Sequence, residues 1–175
     1  KYMGIWVEGY DKQNPTQKPD EADCAHLIMT GGNIVGCMTE RNGGGVCAAR
    51  HAYFTMTGGS IRGCVAKVSG GGVSLSRATV FDMGGSALIA DCVSTGNTNS
   101  AGGGIDAYGS SVTLSGNAAI RNCTAELGGG VCLDSTYLTM SGNASIIGCT
   151  ATNGGGGIYT RGTTGDPTGN TVVFT

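Results

Sequence analysis

Isoleucine, two residues, then cysteine: this tetrad occurs five times, as Ile34/Cys37, Ile61/Cys64, Ile89/Cys92, Ile120/Cys123 and Ile146/Cys149. The cysteines are 27, 28, 31 and 26 residues apart. After each comes a glycine triplet closed by Val46, Val73, Ile105, Val131 or Ile158. A sustained period in this range is the signature of a solenoid, whose units bury their apolar residues only by stacking on one another. Function is constrained too, because a solenoid offers rows of side chains and loops in place of one enclosed pocket.

Glycine fills 34 of the 175 positions, and each one inside a strand costs roughly 0.5–1 kcal/mol relative to Ala. Collagen is excluded because no G-x-y triplet period runs through the chain. A flexible linker is excluded because apolar residues recur at matched places in every unit. With 13% charged residues and a net charge of −2, there is no basic patch for nucleic acid. No apolar run approaches the ~18 residues of a membrane span.

Each unit holds three extended stretches. The first alternates apolar and polar residues: Phe54-Thr55-Met56-Thr57, Phe81-Asp82-Met83-Gly84, Val112-Thr113-Leu114-Ser115 and Leu138-Thr139-Met140-Ser141, headed by Leu27-Ile28-Met29-Thr30. Alternation with period two marks a strand with one face inward. The second stretch is Ile-x-x-Cys with a small residue two beyond (Thr39, Ala66, Ser94, Ala125, Ala151), and the third follows the triplet, as in Val131-Cys132-Leu133. No 3.6-residue period survives the glycines, which excludes helical repeats. The pattern predicts an all-β chain, a parallel β-helix of three faces with about five coils of about 27 residues. Coils stack about 4.8 Å apart, and right-handed winding follows the rule for parallel crossovers.

The chain reads as one unit over residues 1–175, a segment of a longer solenoid with both ends in mid-coil. Ile5 takes the place of Val46, and Phe174 that of Met140. Two insertions break the period between a third stretch and the next first stretch: residues 8–26, rich in charge and holding Pro15 and Pro19, and residues 161–171, with Asp166-Pro167. Insertions on a repeat scaffold become loops, often on the binding face.

Units built from Ile-x-x-Cys-x-Ala and Gly-Gly-Gly-Val/Ile resemble the glycine-rich repeats of large bacterial surface proteins. The nearest pattern is the chlamydial polymorphic outer-membrane protein repeat, Gly-Gly-Ala-Ile with Phe-x-x-Asn. Adhesin-like proteins of the pectin-lyase-like superfamily are similar. Here Cys stands in the place of the Asn, Ile in that of the Phe, and a third Gly in that of the Ala. The resemblance implies a secreted, extracellular cell-surface β-helix and names no ligand. It points to a non-enzymatic segment, an adhesin-like binding surface or a structural stalk. The competing reading is a β-helical lyase or hydrolase acting on an extracellular polysaccharide.

Cys37, Cys64, Cys92, Cys123 and Cys149 are expected as a buried core ladder of small hydrophobes. In-register neighbours hold their Cβ atoms nearly 4.8 Å apart, whereas a disulfide wants about 3.8 Å. Two neighbours do not complete the four-ligand shell of zinc, so neither metal nor cofactor is expected. Cys47 and Cys132 fall on the outward row Trp6–Cys47–Ser74–Asp106–Cys132–Tyr159. A Cys24–Cys47 disulfide is a candidate, leaving Cys132 as a surface thiol suited to an anaerobic or reducing niche.

Ligand-binding candidates are Trp6, Tyr10, Asp11, Asp20 and Glu21 in or beside the first loop, with Asp106 and Tyr159 on the outward row. Aromatics there would stack on sugar or anchor a protein. Glycoside cleavage uses paired carboxylates, but Asp82 and Asp106 belong to different faces, and Asp91 and Asp134 to corners. His26 and His51 are expected to stack one coil apart. The row Thr55, Thr113, Thr139, interrupted by Ile28 and Asp82, reads as ordinary strand surface rather than an ice-binding array. Expected partners are flanking coils or a stacked neighbour at the ends and a host glycan or protein at the loops, with no nucleic acid and no membrane span.

Overall fold

The computed structural model describes residues 4–9, 24–96, 100–162 and 169–175. All its regular elements are short strands, stacked in parallel as a β-solenoid of about five turns. The first sheet contains Ile5–Glu8, Val46–Ala49, Val73–Ser76, Ile105–Tyr108, Val131–Asp134 and Ile158–Arg161. The second contains His26–Met29, Tyr53–Met56, Val80–Met83, Ser111–Leu114, Tyr137–Met140 and Thr171–Phe174. The third runs from Asn33–Val35 to Ser145–Ile147, and the fourth from Met38–Thr39 to Thr150–Gly154. Four sheets therefore replace the three expected faces, because the Ile-x-x-Cys stretch divides at its cysteine.

The cause of that division lies in the residue before each cysteine. Gly36, Gly63, Asp91, Asn122 and Gly148 all have φ between 53° and 66°, the left-handed region that turns a strand sharply and that Gly, Asn and Asp tolerate best. Each such residue ends a strand of the third sheet and puts the cysteine at a corner. Its thiol then donates back across the turn, from Cys64 Sγ to the Arg62 carbonyl (3.4 Å), from Cys92 to Ala90 (3.2 Å) and from Cys123 to Arg121 (3.2 Å). The corner between the first and second sheets also uses left-handed residues, among them Arg50, His51, Arg77, Ala78 and Ser135.

The core runs down the middle as stacked rows. Cys64, Cys92 and Cys123 are fully buried, while Cys37 and Cys149, on the end coils, are half-buried. Hydrogen bonds along the ladder, to Cys92 for Cys64 and to Cys149 for Cys123, together with burial raise the pKa of both thiols. The ladder is core packing, as expected. The small residues after the first four of these cysteines (Thr39, Ala66, Ser94, Ala125) are buried in the fourth sheet, and Ala151 after the fifth is half-buried.

Both long insertions leave between the first sheet and the second, at opposite ends of the stack. Glu8 and His26 are strand residues, as are Arg161 and Thr171, so the insertions are a little shorter than 8–26 and 161–171.

Candidate functional site on the outer face of the first sheet

Register in the first sheet places Trp6, Cys47, Ser74, Asp106, Cys132 and Tyr159 in one row, as the sequence indicated. The row faces away from the main core, yet much of it is covered. Cys47 is 7% exposed and Cys132 1%. The chain leaving the fourth sheet folds back over it through the glycine triplet, where Gly43, Gly70, Gly102, Gly128 and Gly155 are left-handed. This sets Ala101 and Leu127 over Cys132 as a second small apolar cluster, with Tyr159 packed against it.

Two cysteine readings are corrected by this geometry. Cys132 is a buried thiol, not a surface one, and burial, then the charge of Asp106, pushes it up to about 12. A thiol held there is no nucleophile at neutral pH. No disulfide joins Cys24 to Cys47. Cys47 is closed under the turn at Gly43, at the fourth-to-first corner, whereas Cys24 precedes the first strand of the second sheet. Burial, then Glu8, raises the Cys47 thiol.

Asp106 sits half-buried between Ser74 and Cys132 and shares hydrogen bonds with the Ser69 hydroxyl and the Cys132 thiol. Burial lifts its carboxyl from the usual 3.8 to about 7, against the opposing pull of Arg161. The next outward row carries Glu8, Ala49, Ser76, Tyr108, Asp134 and Arg161. Asp134 is thus a strand residue on the same face as Asp106, one coil on, and its charge adds to the lift on Asp106. Arg161 stacks over Asp134, and its Nη2 is buried without a hydrogen-bond partner among the described residues. The expectation that Asp134 belongs to a corner, apart from the face of Asp106, is therefore overturned.

This patch, formed by Asp106, Tyr108, Asp134, Tyr159 and Arg161, is the strongest candidate site. Tyr108 is exposed, and the Tyr159 ring lies across Gly154. Sequence reasoning named Asp106 and Tyr159, put Asp134 at a corner, and missed Tyr108 and Arg161. The signal was there, two residues along the strand from the row already identified.

The remaining candidates lie elsewhere. Trp6 is 51% exposed, and its indole donates to Glu8, which pairs with Arg50 at 3.0 Å. Tyr10, Asp11, Asp20 and Glu21 lie outside the described residues. Asp82 faces out of the second sheet between Thr55 and Thr113. Asp91 pairs with Arg62 and accepts a hydrogen bond from Asn122. His26 stacks on Tyr53, ring centroids 5.0 Å apart, and not on His51, which occupies the left-handed corner before that strand. Among the described residues no group of three or more His, Cys, Asp or Glu is placed to hold a metal ion. No helix there is long and apolar enough to cross a membrane.

Asp106 makes stability depend on pH. The unfolded chain gives up this proton near 3.8 and the folded chain near 7, so between those values the folded state binds more protons. Stability should fall as pH rises through that window and level off above it, with a slope of up to about 1.4 kcal/mol per pH unit. Urea denaturation of wild type and Asp106→Asn from pH 4.5 to 7.5 checks this. A difference between the two proteins that does not change with pH would contradict it.

No family model matches the chain, and neither a curated protein nor a solved structure matches it.

Proposed function

We propose that this chain is a non-enzymatic extracellular segment of a large bacterial cell-surface protein, serving as an adhesin-like binding surface on a rigid stalk. The observation that supports this most is the outer face of the first sheet. It gathers two tyrosines, two carboxylates and an arginine on strands whose positions are held by ladder hydrogen bonds, beside the point after Arg161 from which the second long insertion leaves. Such a face suits recognition of a glycan or a protein, since aromatic and arginine side chains dominate binding energetics. The Ile-x-x-Cys and glycine-triplet repeats support the surface location by their resemblance to bacterial surface repeats.

One experiment separates binder from stalk. Binding to a glycan array and to host cells is measured for wild type, for Tyr108→Ala/Arg161→Ala, and for a deletion of residues 15–23. Loss of binding by about tenfold or more in either variant supports the adhesin reading. No binding by wild type favours the stalk. The adjacent carboxylates Asp106 and Asp134 favour a second reading, depolymerisation of an acidic polysaccharide. Polymer cleavage abolished by both Asp106→Asn and Asp134→Asn would establish it in place of the first.

A further inference from the structure

The register of the third sheet aligns the five isoleucines, and that of the fourth aligns the residues just after the cysteines. Between those two rows Cys37, Cys64, Cys92, Cys123 and Cys149 stand in line, one per coil. The inner three are fully buried. The Cys92 thiol is in hydrogen-bond contact with the thiols of Cys64 and Cys123, and that of Cys123 with Cys149. Each sulfur therefore faces the next directly along the solenoid axis. The isoleucine row is equally constant, so constancy alone says nothing about chemistry. The sulfur spacing does.

Stacked strands repeat about every 4.8 Å. A metal–thiolate bond is about 2.3 Å long, so an ion held end-on between two sulfurs spans about 4.6 Å. A straight row cannot supply the four converging ligands of zinc, but it matches ions that accept two ligands in a line. Those are the soft monovalent d10 ions, Cu(I) and Ag(I), for which thiolate is a preferred donor. Two local features favour such binding. The carbonyls that accept the thiol hydrogens also accept ladder amides: Arg62 from Gly36 at 2.9 Å, Ala90 from Gly63 at 3.0 Å and Arg121 from Asp91 at 3.0 Å. Loss of the thiol proton thus leaves none of them unpaired. Each inner sulfur also faces a bare glycine. A methyl added at Gly72 would lie 3.4 Å from Cys92 Sγ, and one at Gly104 3.5 Å from Cys123 Sγ, so no side chain on that flank blocks a tilt of the sulfur onto the ladder axis.

We propose that the cysteine ladder binds Cu(I) in linear S–Cu–S bridges between successive coils, one ion in each of the four intervals that five cysteines leave. Each ion enters as a monovalent cation while one thiol gives its proton to solvent. The thiolate so formed bonds the ion, and the next sulfur in the row is its second ligand. No electron is transferred. Four ions displace four protons from five thiols, so the filled ladder keeps one proton and adds no net charge to the core. That avoids the heavy cost of burying an unpaired charge. Uptake accompanies the closing of the coils, since the folded core encloses the inner sulfurs.

The test uses Ag(I), which shares the two-coordinate preference of Cu(I) and needs no reductant. The whole 175-residue protein is refolded from urea with Ag(I) in chloride-free buffer, washed with a small competing thiol to strip singly held ions, and weighed by native mass spectrometry. Four ions are expected, each replacing one proton, with two sulfurs around each ion by X-ray absorption. Cys92→Ala interrupts two intervals and should retain two ions. Cys123→Ala interrupts two others and should also retain two, which keeps the test open where the first variant does not fold. Cys132→Ala, outside the ladder, should retain four. The proposal is overturned by wild type that retains no ion, and by equal losses in Cys132→Ala and the ladder variants. A shell of three or more sulfurs, or one containing nitrogen or oxygen, overturns it as well. So does retention only by protein that has not regained its β-sheet circular dichroism.

Discussion

Gly103→Ala should destabilise the protein by about 4 kcal/mol or more, an effect reserved for a few severe mechanisms. Gly103 is the middle residue of its triplet, and its φ lies outside the left-handed region, so only space matters. A methyl there would fall 2.5 Å from the Gly129 carbonyl oxygen and 2.5 Å from both the amide nitrogen and the carbonyl oxygen of Thr124. All three are backbone atoms and cannot swing aside as a flexible side chain would. They are also held in place: the Thr124 amide donates to the Cys92 carbonyl at 2.9 Å, and the Gly129 carbonyl accepts from the Gly104 amide at 3.1 Å. Making room means breaking the ladder in two coils at once. Gly31→Ala is the matched control, since nothing lies within 4 Å of its added methyl and its φ is ordinary. It should stay within about 0.5 kcal/mol of wild type. Urea denaturation followed by circular dichroism measures both. A Gly103→Ala protein within about 1 kcal/mol of wild type would show that the triplet is a composition bias and not a packing requirement.

That packing requirement explains which parts of the molecule were legible in the sequence. A parallel coil repeats its register, so one aligned unit places every other, and the outward row from Trp6 to Tyr159 can be read residue by residue. Corners are less legible because their chemistry is confined to one residue. Gly36, Gly63, Asp91, Asn122 and Gly148 share a backbone conformation and not a residue type, so the bend before each cysteine passes unnoticed among 34 glycines. The burial of Cys47 and Cys132 was illegible for another reason. It depends on how the residues after the fourth sheet fold back, and period-two alternation carries no information about a turn that covers an outer face. Asp134 was misplaced by one residue of strand length. With the third stretch taken as Val131 to Leu133, Asp134 became a corner; as a fourth strand residue it stands in line between Tyr108 and Arg161. The Cys24–Cys47 bridge rested on the first insertion folding over the face that carries Cys47, whereas Cys47 is closed under the turn at Gly43.

Phe81→Ala should cost about 3–5 kcal/mol, near the top of the range for an aromatic core residue. Phe81 lies in the inward row of the second sheet between Phe54 and Val112. Its ring stacks on that of Phe54 with centroids 4.4 Å apart and planes 12° from parallel, and both side chains are fully buried. Cavities cost least where the surroundings can collapse into them, and here they cannot. The coils on either side are tied to the central strand by parallel hydrogen bonds at a spacing set by the backbone, so the void stays open. The stack itself adds a coupling of about 0.5–1.5 kcal/mol, which a double-mutant cycle with Phe54→Ala isolates. Leu27 occupies the same row on the first coil but is only half-buried, because no strand of the second sheet lies beyond it among the described residues. Leu27→Ala should therefore cost about 1 kcal/mol, well below a buried Leu→Ala at 2–5 kcal/mol. Urea denaturation of the three single variants and the double variant measures this gradient. Equal losses at Leu27 and Phe81 would mean that the coils do not derive their stability from covering one another, contrary to nearest-neighbour stacking in a solenoid.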